Sequence, residues 1–126
     1  MSRRSVLVVE DNREFRETLK DLFELQGYQV HTAENGEDGL RCLDMIPTPC
    51  LIVLDLMMPV MDGWEFLDAL RQHPDPATRA IPVVVVSGVA DTFDLADLRS
   101  LYDCNVIRKP PELDALFAIA RRSCDA

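Results

Sequence analysis

Five polar residues in this sequence stand at the ends of strongly apolar runs, where they could bind a metal ion and a phosphoryl group. Glu10 and Asp11 close SVLVVED, Asp55 closes CLIVLD, Ser87 closes IPVVVVS, and Lys109 follows the apolar part of NVIRKP. In open parallel α/β sheets, ligands bind in the crevice outside the carboxyl ends of the strands. If the four runs are neighbouring strands, we expect these side chains to share one acidic pocket with a single ammonium group.

The residue types in this pocket indicate magnesium-assisted phosphoryl chemistry. Carboxylates a few ångströms apart repel one another and need a counter-charge to stay ionised. Mg²⁺ suits such a cluster, because it prefers oxygen ligands and keeps part of its water shell for phosphate oxygens. A carboxylate can itself accept a phosphoryl group. Asp55 is the expected acceptor because it ends the middle strand, and Ser87 and Lys109 are expected to contact the phosphoryl oxygens.

Strand and helix patterns alternate along the whole chain, which predicts parallel βαβ units with helices on both faces of one sheet. Because crossovers are right-handed, few topologies remain, and the flavodoxin-like strand order 2-1-3-4-5 is the leading one. The fold expected is therefore an α/β three-layer sandwich. The predicted strands are Ser5–Glu10, Gln29–Ala33, Cys50–Leu56, Val83–Val86 and Asn105–Arg108.

The helices are predicted from apolar residues at helical spacing and from their end signals. HPDPATRAIP is expected to be a return loop, and the last helix is expected to direct Leu113 inward with its other apolar residues. The first helix ends at Gly27, the second covers Gly36–Met45, the third contains Phe66, Leu67 and Leu70, the fourth covers Thr92–Tyr102, and the fifth uses Leu113, Leu116, Phe117 and Ala120 and ends at about Ser123.

Length and composition predict one domain, residues 1–126, with a core large enough to fold unaided. The net charge of -9 argues against direct nucleic-acid binding and against attraction to anionic membranes. No apolar segment is long enough for a signal peptide or a membrane span, which predicts a cytoplasmic protein. The cysteines (Cys42, Cys50, Cys104, Cys124) lack zinc-site spacing and are expected to be free, buried or half-buried thiols.

Four motifs together resemble the response-regulator receiver domains of two-component signalling, in particular single-domain chemotaxis response regulators. They are VVEDN, IVLDLMMPVMDGWEFL, VVVVSG and IRKP, and the resemblance covers essentially the whole chain. It implies that Asp11 and Asp55 bind Mg²⁺ directly with the Met57 backbone carbonyl, while Glu10 acts through water. It also implies phosphorylation of Asp55.

The same resemblance assigns the remaining parts of the pocket. Ser87 and Lys109 are expected to bind phosphate oxygens, helped by the backbone amides of Leu56, Met57 and Gly88. The Lys109–Pro110 bond is expected to be cis, a conformation found almost only before proline.

One position departs from the receiver pattern. Receivers usually carry a tyrosine or phenylalanine where this chain has Val106, three residues before Lys109. Valine cannot make the same inward rotamer change, so the usual relay from the pocket to the outer face is in doubt. Tyr102 is a candidate substitute.

The resemblance implies a phosphorelay switch or shuttle that receives its phosphoryl group from a histidine kinase or histidine phosphotransfer protein and acts on an unknown target protein. Helix five leaves only a few residues after it, so we expect no output domain in this sequence and no enzyme activity beyond self-phosphorylation and self-dephosphorylation. The sequence is compatible with a protein that works alone and with a domain cut from a longer hybrid kinase or regulator. Two alternatives stay open: a Mg²⁺-dependent phosphatase with an aspartate nucleophile, and an interaction scaffold that takes no phosphate. A flavodoxin-like phosphate loop is disfavoured because EDNRE would repel phosphate.

Overall fold

A computed structural model describes residues 4–88 and 104–125 of the chain. Its strands are β1 (Ser5–Val9), β2 (Gln29–Ala33), β3 (Leu51–Leu54), β4 (Val83–Ser87) and β5 (Asn105–Arg108). They form one parallel sheet in the order β2-β1-β3-β4-β5, so the predicted flavodoxin-like topology is confirmed. The described helices are α1 (Arg13–Leu25), α2 (Gly36–Met45), α3 (Gly63–Arg71), α4 (Pro76–Arg79) and α5 (Leu113–Cys124).

The apolar strands are buried on both faces because alternate residues pack against different helices. Leu7, Ile52 and Val85 face a core that includes Phe66 and Leu70 of α3. The intervening residues of the same strands, such as Val6, Val53 and Val84, face a second core. Helices α1 and α5 supply that core with Leu19, Phe23, Leu116, Phe117, Ile119 and Ala120. The sheet is thus the middle layer of three.

Helix ends follow the expected local chemistry. The Asn12 side chain accepts a hydrogen bond from the Phe15 amide at 2.9 Å, which caps the N-terminus of α1. After α1, Gly27 has φ 93°, a left-handed conformation that glycine adopts without steric cost. At α3, Asp62 and Glu65 form a capping box. These caps fix where each helix begins relative to the strand before it.

Several element boundaries differ from those predicted. Strand β3 covers Leu51–Leu54 rather than Cys50–Leu56, so Asp55 lies just beyond it. The return loop contains the short helix α4, which Asp75 caps and Pro76 begins. Leu113 is exposed rather than inward, because it occupies the first position of α5. The helix predicted at 92–102 lies outside the described residues.

The expectation of four free thiols was wrong for one pair. Cys50 and Cys124 form a disulfide with their Cα atoms 5.0 Å apart. The α5 helix returns to the edge of the sheet where β3 begins, which brings its last residue beside Cys50. Cys42 and Cys104 are not disulfide-bonded, and they are half-buried and buried respectively, as expected.

Among the helices of the described segments, none combines the length and the apolar character needed to cross a membrane.

Candidate functional site

The predicted site residues lie together at the carboxyl edge of the sheet. Glu10 and Asp11 follow β1, Asp55 follows β3, Ser87 ends β4 and Lys109 follows β5. The β1–β3 pairing aligns Val9 with Leu54, which places the turn after β1 beside the turn after β3. Glu10, Asp11 and Asp55 each offer a carboxylate oxygen, and these oxygens all lie within 4.8 Å of one another.

Lys109 supplies the positive charge that this cluster needs. Its ammonium lies 2.7 Å from Oε1 of Glu10 and 3.6 Å from Oδ1 of Asp55. The Lys109 amide donates to the Ser87 carbonyl at 2.8 Å, which extends the β4–β5 pairing to the pocket. The Lys109–Pro110 bond is cis, as predicted.

Burial raises the pKa of two carboxyl groups in the pocket, those of Glu10 and Asp55. Burial raises the pKa of Glu10 to about 7, although the Lys109 ammonium and the Asn12 amide act to lower it. Burial also raises the pKa of Asp55, against the opposing effect of Lys109. Glu10 and Asp55 are 2% and 6% exposed, so water provides little solvation of their charge. The pocket therefore favours any bound cation that replaces this missing solvation.

The chemistry of the donor set fits Mg²⁺. Three carboxylates converge, and Asp11 is exposed to solvent, which leaves one side of the cluster open to water. A hard cation that keeps some of its water ligands matches this arrangement. The Met57 backbone amide acts to lower the pKa of Asp55, against the larger effect of burial. Metal binding by the Met57 carbonyl remains a prediction.

Ser87 lies at the end of the strand next to β3. Its side chain is buried, and Leu54 of β3 pairs with Val85 two residues before it. Gly88 follows, and a Cβ at this residue would lie 3.7 Å from the Lys109 side chain. Ser87 and Lys109 thus lie at the same end of the sheet as the carboxylates. Phosphate binding by Ser87, Lys109 and the amides of Leu56 and Gly88 remains predicted.

Three residues that sequence reasoning missed hold this pocket in shape. Arg16 is buried and donates from Nη1 to the carbonyl oxygens of Glu10 at 2.9 Å and Asp11 at 3.5 Å. The Asn12 amide donates to Oε2 of Glu10 at 3.1 Å. The Phe15 ring centroid lies 4.6 Å from the Lys109 ammonium, a cation–π contact.

A signal for Arg16 was present in the sequence. It shares the spacing of Leu19 and Phe23, the buried stripe of α1, and a charged residue on such a stripe needs internal partners.

The loop after Asp55 is held tightly against the start of α3. A Cβ on Gly63 would lie 2.6 Å from the Asp55 carbonyl oxygen, and the Gly63 amide donates to the Leu56 carbonyl at 2.9 Å. Val60 has φ 69°, a left-handed conformation that β-branched residues rarely adopt. The loop path is therefore imposed by its surroundings, and it determines where the Asp55 backbone lies.

Val106 stands on β5 where receivers usually carry a tyrosine or phenylalanine. It is half-buried and packs against the core that contains Phe66. Tyr102, the suggested substitute, lies outside the described residues.

Comparison with known proteins decides the family. The model of the response regulator receiver domain matches residues 6–121. This chain belongs to the response regulator receiver family. The receiver fold and the resemblance inferred from the four motifs are thereby confirmed.

Relatives and solved structures agree with this membership. A probable transcriptional regulator, ycf27, of Cyanophora paradoxa is 32% identical over 98% of this chain and 51% of its own length. A response regulator receiver protein of Pseudomonas putida has a TM-score of 0.89 at 26% identity, covering 97% of this chain and 98% of that one. The receiver domain of a Syntrophus aciditrophicus histidine kinase has a TM-score of 0.82 at 33% identity, covering 97% and 90%.

The chain spans about half the length of the curated relatives that it matches first. Those relatives are named as probable transcriptional regulators, and the similarity concerns the matched half of their length.

Proposed function

We propose that this receiver accepts a phosphoryl group on Asp55, in a Mg²⁺-dependent reaction, from a phosphohistidine of a histidine kinase or a histidine phosphotransfer protein. The observation that carries the proposal is the position of Lys109, whose ammonium lies 3.6 Å from Asp55 within a cluster of three carboxylates. Acceptance of a phosphoryl group adds negative charge at Asp55. An adjacent ammonium and a cation-binding cluster are the groups that such a product needs.

Asp11 and Asp55 would hold the metal directly, together with the Met57 carbonyl, while Glu10 would act through a water ligand. When bound, Mg²⁺ neutralises charge on the phosphoryl oxygens. The exposed position of Asp11 supports its assignment as a direct ligand on the solvent side. The salt bridge between Glu10 and Lys109 supports the less direct role of Glu10, because one of its oxygens is already occupied.

In the proposed transfer, an Asp55 carboxylate oxygen donates an electron pair to phosphorus, and the P–N bond to the donor imidazole breaks. The bonding pair returns to the imidazole nitrogen, so no proton leaves Asp55. Lys109 and Ser87 contact the phosphoryl oxygens.

Loss of the phosphoryl group would follow attack by water on phosphorus, which restores the Asp55 carboxylate and releases inorganic phosphate. The chain would thus undergo self-phosphorylation and self-dephosphorylation without turning over a separate substrate. We propose the cytoplasm as its location and a protein, rather than nucleic acid, as the target of this domain. The net charge of -9 supports a protein target.

The phosphatase alternative lacks support in the loop after Asp55. An aspartate-nucleophile phosphatase needs a second acid two residues later, and Met57 stands there with an exposed side chain. The scaffold alternative differs from the proposal only in whether Asp55 is modified, which an experiment can decide.

The test is intact-mass measurement after incubation with acetyl phosphate or phosphoramidate and Mg²⁺. The wild-type protein should gain about 80 Da, the mass of one phosphoryl group, and should gain nothing when Mg²⁺ is chelated before the donor is added. Asp55→Asn should gain none, whereas Asp21→Asn, which changes an exposed carboxylate of α1, should behave as wild type. Stoichiometric labelling of Asp55→Asn would contradict the acceptor assignment, and an unlabelled wild type would favour the scaffold.

A further inference from the structure

The Cys50–Cys124 disulfide joins the residue before β3 to the last residue of α5. It lies at the edge of the sheet opposite the carboxylates, since β3 runs from Cys50 towards Asp55. We propose that this disulfide is a thiol–disulfide exchange site, and that its reduction by a small thiol releases the last turn of α5 from β3.

A cavity gives a small thiol access to the bond. The cavity has a volume of about 370 Å³, and both cysteines line it together with Arg4, Gln29, His31 and Thr48. Gln29 and Thr48 are exposed, and Cys50 and Cys124 are each half-buried. A reagent can therefore reach the sulfur atoms without unfolding the domain.

The two cysteines outside the disulfide, Cys42 and Cys104, are less reactive towards a small thiol or its disulfide. Cys104 is 6% exposed, and burial raises the pKa of the Cys42 thiol, which lowers its thiolate fraction. Thiol reactivity depends on both exposure and thiolate character. Exchange should therefore be selective for the Cys50–Cys124 pair.

Within residues 4–88 and 104–125, few other contacts hold the end of α5. Its buried residues extend to Ala120, and Arg121 and Arg122 are exposed. Beyond them, Arg4 pairs with Asp125 at 2.5 Å, but their side chains are 43% and 47% exposed. Ion pairs this exposed contribute little to stability. Cleavage of the disulfide should therefore loosen residues 121–124 while the buried part of α5 stays packed.

The reduced state can be accommodated in the fold. Sγ of Cys50 lies 3.2 Å from the Ser5 carbonyl oxygen, so the thiol formed by reduction has a hydrogen-bond acceptor. Cys124 packs at the margin of the core formed by α1 and α5, where an apolar thiol is tolerated. Reduction thus removes one constraint and leaves no buried group without a partner among these atoms.

The exchange uses a low-molecular-weight thiol as its reductant. A thiolate attacks one sulfur, forms a mixed disulfide and releases the other cysteine as a thiolate, which takes up a proton. A second thiolate attacks the sulfur of the small molecule in the mixed disulfide, so one small-molecule disulfide and two protein thiols result. In a reducing compartment, protein disulfides are usually transient and redox-sensing, an argument that depends on the cytoplasmic location proposed above.

The test titrates the native protein with mixtures of reduced and oxidised glutathione, followed by alkylation and peptide mass spectrometry. Cys50 and Cys124 should become alkylated in parallel as the mixture becomes more reducing, whereas the alkylation of Cys42 and Cys104, which needs no reduction, should not depend on the glutathione ratio. Amide hydrogen exchange of residues 121–124 should become roughly tenfold faster or more on reduction, while that of α1 is unchanged.

Matched variants separate the bond from general damage. Cys42→Ser/Cys104→Ser should titrate as wild type. Cys50→Ser/Cys124→Ser should show fast exchange at residues 121–124 at every glutathione ratio. Asp55→Asn should titrate as wild type, so failure of the proposed phosphorylation leaves this test unaffected.

Three results would overturn the proposal. The first is alkylation of all four cysteines when the oxidised protein is unfolded before alkylation. The second is reduction of the disulfide only after the domain unfolds. The third is reduction that leaves the amide hydrogen exchange of residues 121–124 unchanged.

Discussion

At the scale of single residues, the three carboxylates of the pocket differ in how deeply they are buried. Glu10 and Asp55 are almost completely buried, whereas Asp11 is exposed. Lys109 forms ion pairs with the two buried carboxylates, and within the described part of the chain none of its ion pairs involves Asp11. Asp11 is therefore the carboxylate that a metal ion can bind with least competition from the ammonium.

Replacement of Asp11 by alanine should weaken Mg²⁺ binding by roughly tenfold or more, because a direct ligand is removed. It should also stabilise the metal-free protein by up to about 1 kcal/mol, because its removal relieves repulsion between the carboxylates. The gain is limited because water partly screens the charge of the exposed Asp11. Mg²⁺ titration of Trp64 fluorescence measures the affinity. Trp64 follows Gly63, which packs against the Asp55 backbone.

The control for this experiment is Asp21→Ala, which removes an exposed carboxylate from the middle of α1. It should bind Mg²⁺ as the wild type does. An unchanged Mg²⁺ midpoint in Asp11→Ala would show that Asp11 is not a ligand.

At the scale of secondary-structure elements, the connection from β3 to α3 sets the position of Asp55. Gly63 begins α3 where a Cβ would lie 2.6 Å from the Asp55 carbonyl oxygen and 2.7 Å from Cα of Leu56. Both neighbours are backbone atoms, which cannot move away as the end of a flexible side chain can.

Gly63→Ala should therefore destabilise the domain by about 1–3 kcal/mol and reduce phosphorylation of Asp55. Gly88→Ala is the matched control, because among the described residues its Cβ would meet the Lys109 side chain at an ordinary distance of 3.7 Å. That control should change stability by less than about 0.5 kcal/mol. Urea unfolding of both variants measures the difference, and equal midpoints would contradict a rigid β3–α3 connection.

Val106 affects how a signal could pass through β5. Valine has one preferred χ1 rotamer in a packed environment, so it cannot make the large side-chain movement of an aromatic residue. A two-state element can shift only as far as its ligand interacts differently with the two states. Without that side-chain movement, one source of such a difference is missing.

Binding of beryllofluoride with Mg²⁺ should therefore change amide chemical shifts most at Ser87 and Gly88 and in the following residues up to Phe93, which lie outside the described segments. The response at Val106 and along α5 should be small. Asp55→Asn treated in the same way provides the control. A large cooperative change in β5 and α5 would show that another residue, such as Tyr102, carries the signal.

At the scale of the whole molecule, the buried carboxylates link folding to pH. The pKa of Glu10 rises from 4.5 to about 7 on folding. The folded state then binds more protons than the unfolded state between these values, so its extra stability is complete below about 4.5 and is lost as the pH rises through about 7. The raised pKa of Asp55 acts in the same direction.

Stability measured by urea unfolding in metal-free buffer should thus fall between about pH 5 and pH 8, by on the order of 1 kcal/mol or more. Mg²⁺ should oppose the fall because it binds the ionised, folded form. Glu10→Gln should flatten the profile, whereas Glu17→Gln, at an exposed position of α1, should keep it. A wild-type profile that rises over this interval would contradict the assignment.

The sheet and the site could be predicted from the sequence for the same reason. Continuous apolar runs identify strands buried on both faces, and parallel strands bring their carboxyl ends to one edge. Glu10, Asp55 and Ser87 could therefore be placed together before any coordinates were known. Their side-chain contacts, including the Lys109 position between two carboxylates, depend on packing that no spacing encodes.

The errors have particular physical causes. The Cys50–Cys124 bond joins residues 74 apart in sequence, and spacing alone cannot give such a pairing. The α4 helix did have a signal, since Asp75 before Pro76 is a favourable helix start. Leu113 matched the apolar spacing of α5, but the first turn of a helix can extend beyond the core that its later turns cover.

The contact between Phe15 and Lys109 affects how the position of the Lys109 ammonium responds to pH and to metal ions. Protons and metal ions compete with the ammonium for Glu10 and Asp55, so both salt bridges weaken when those carboxylates are occupied. The Phe15 ring, 4.6 Å from the ammonium, neither titrates nor coordinates a hard cation. The contact between Lys109 and Phe15 therefore does not depend on pH or on magnesium concentration. It keeps the ammonium in the pocket when Glu10 and Asp55 bind protons or a metal ion.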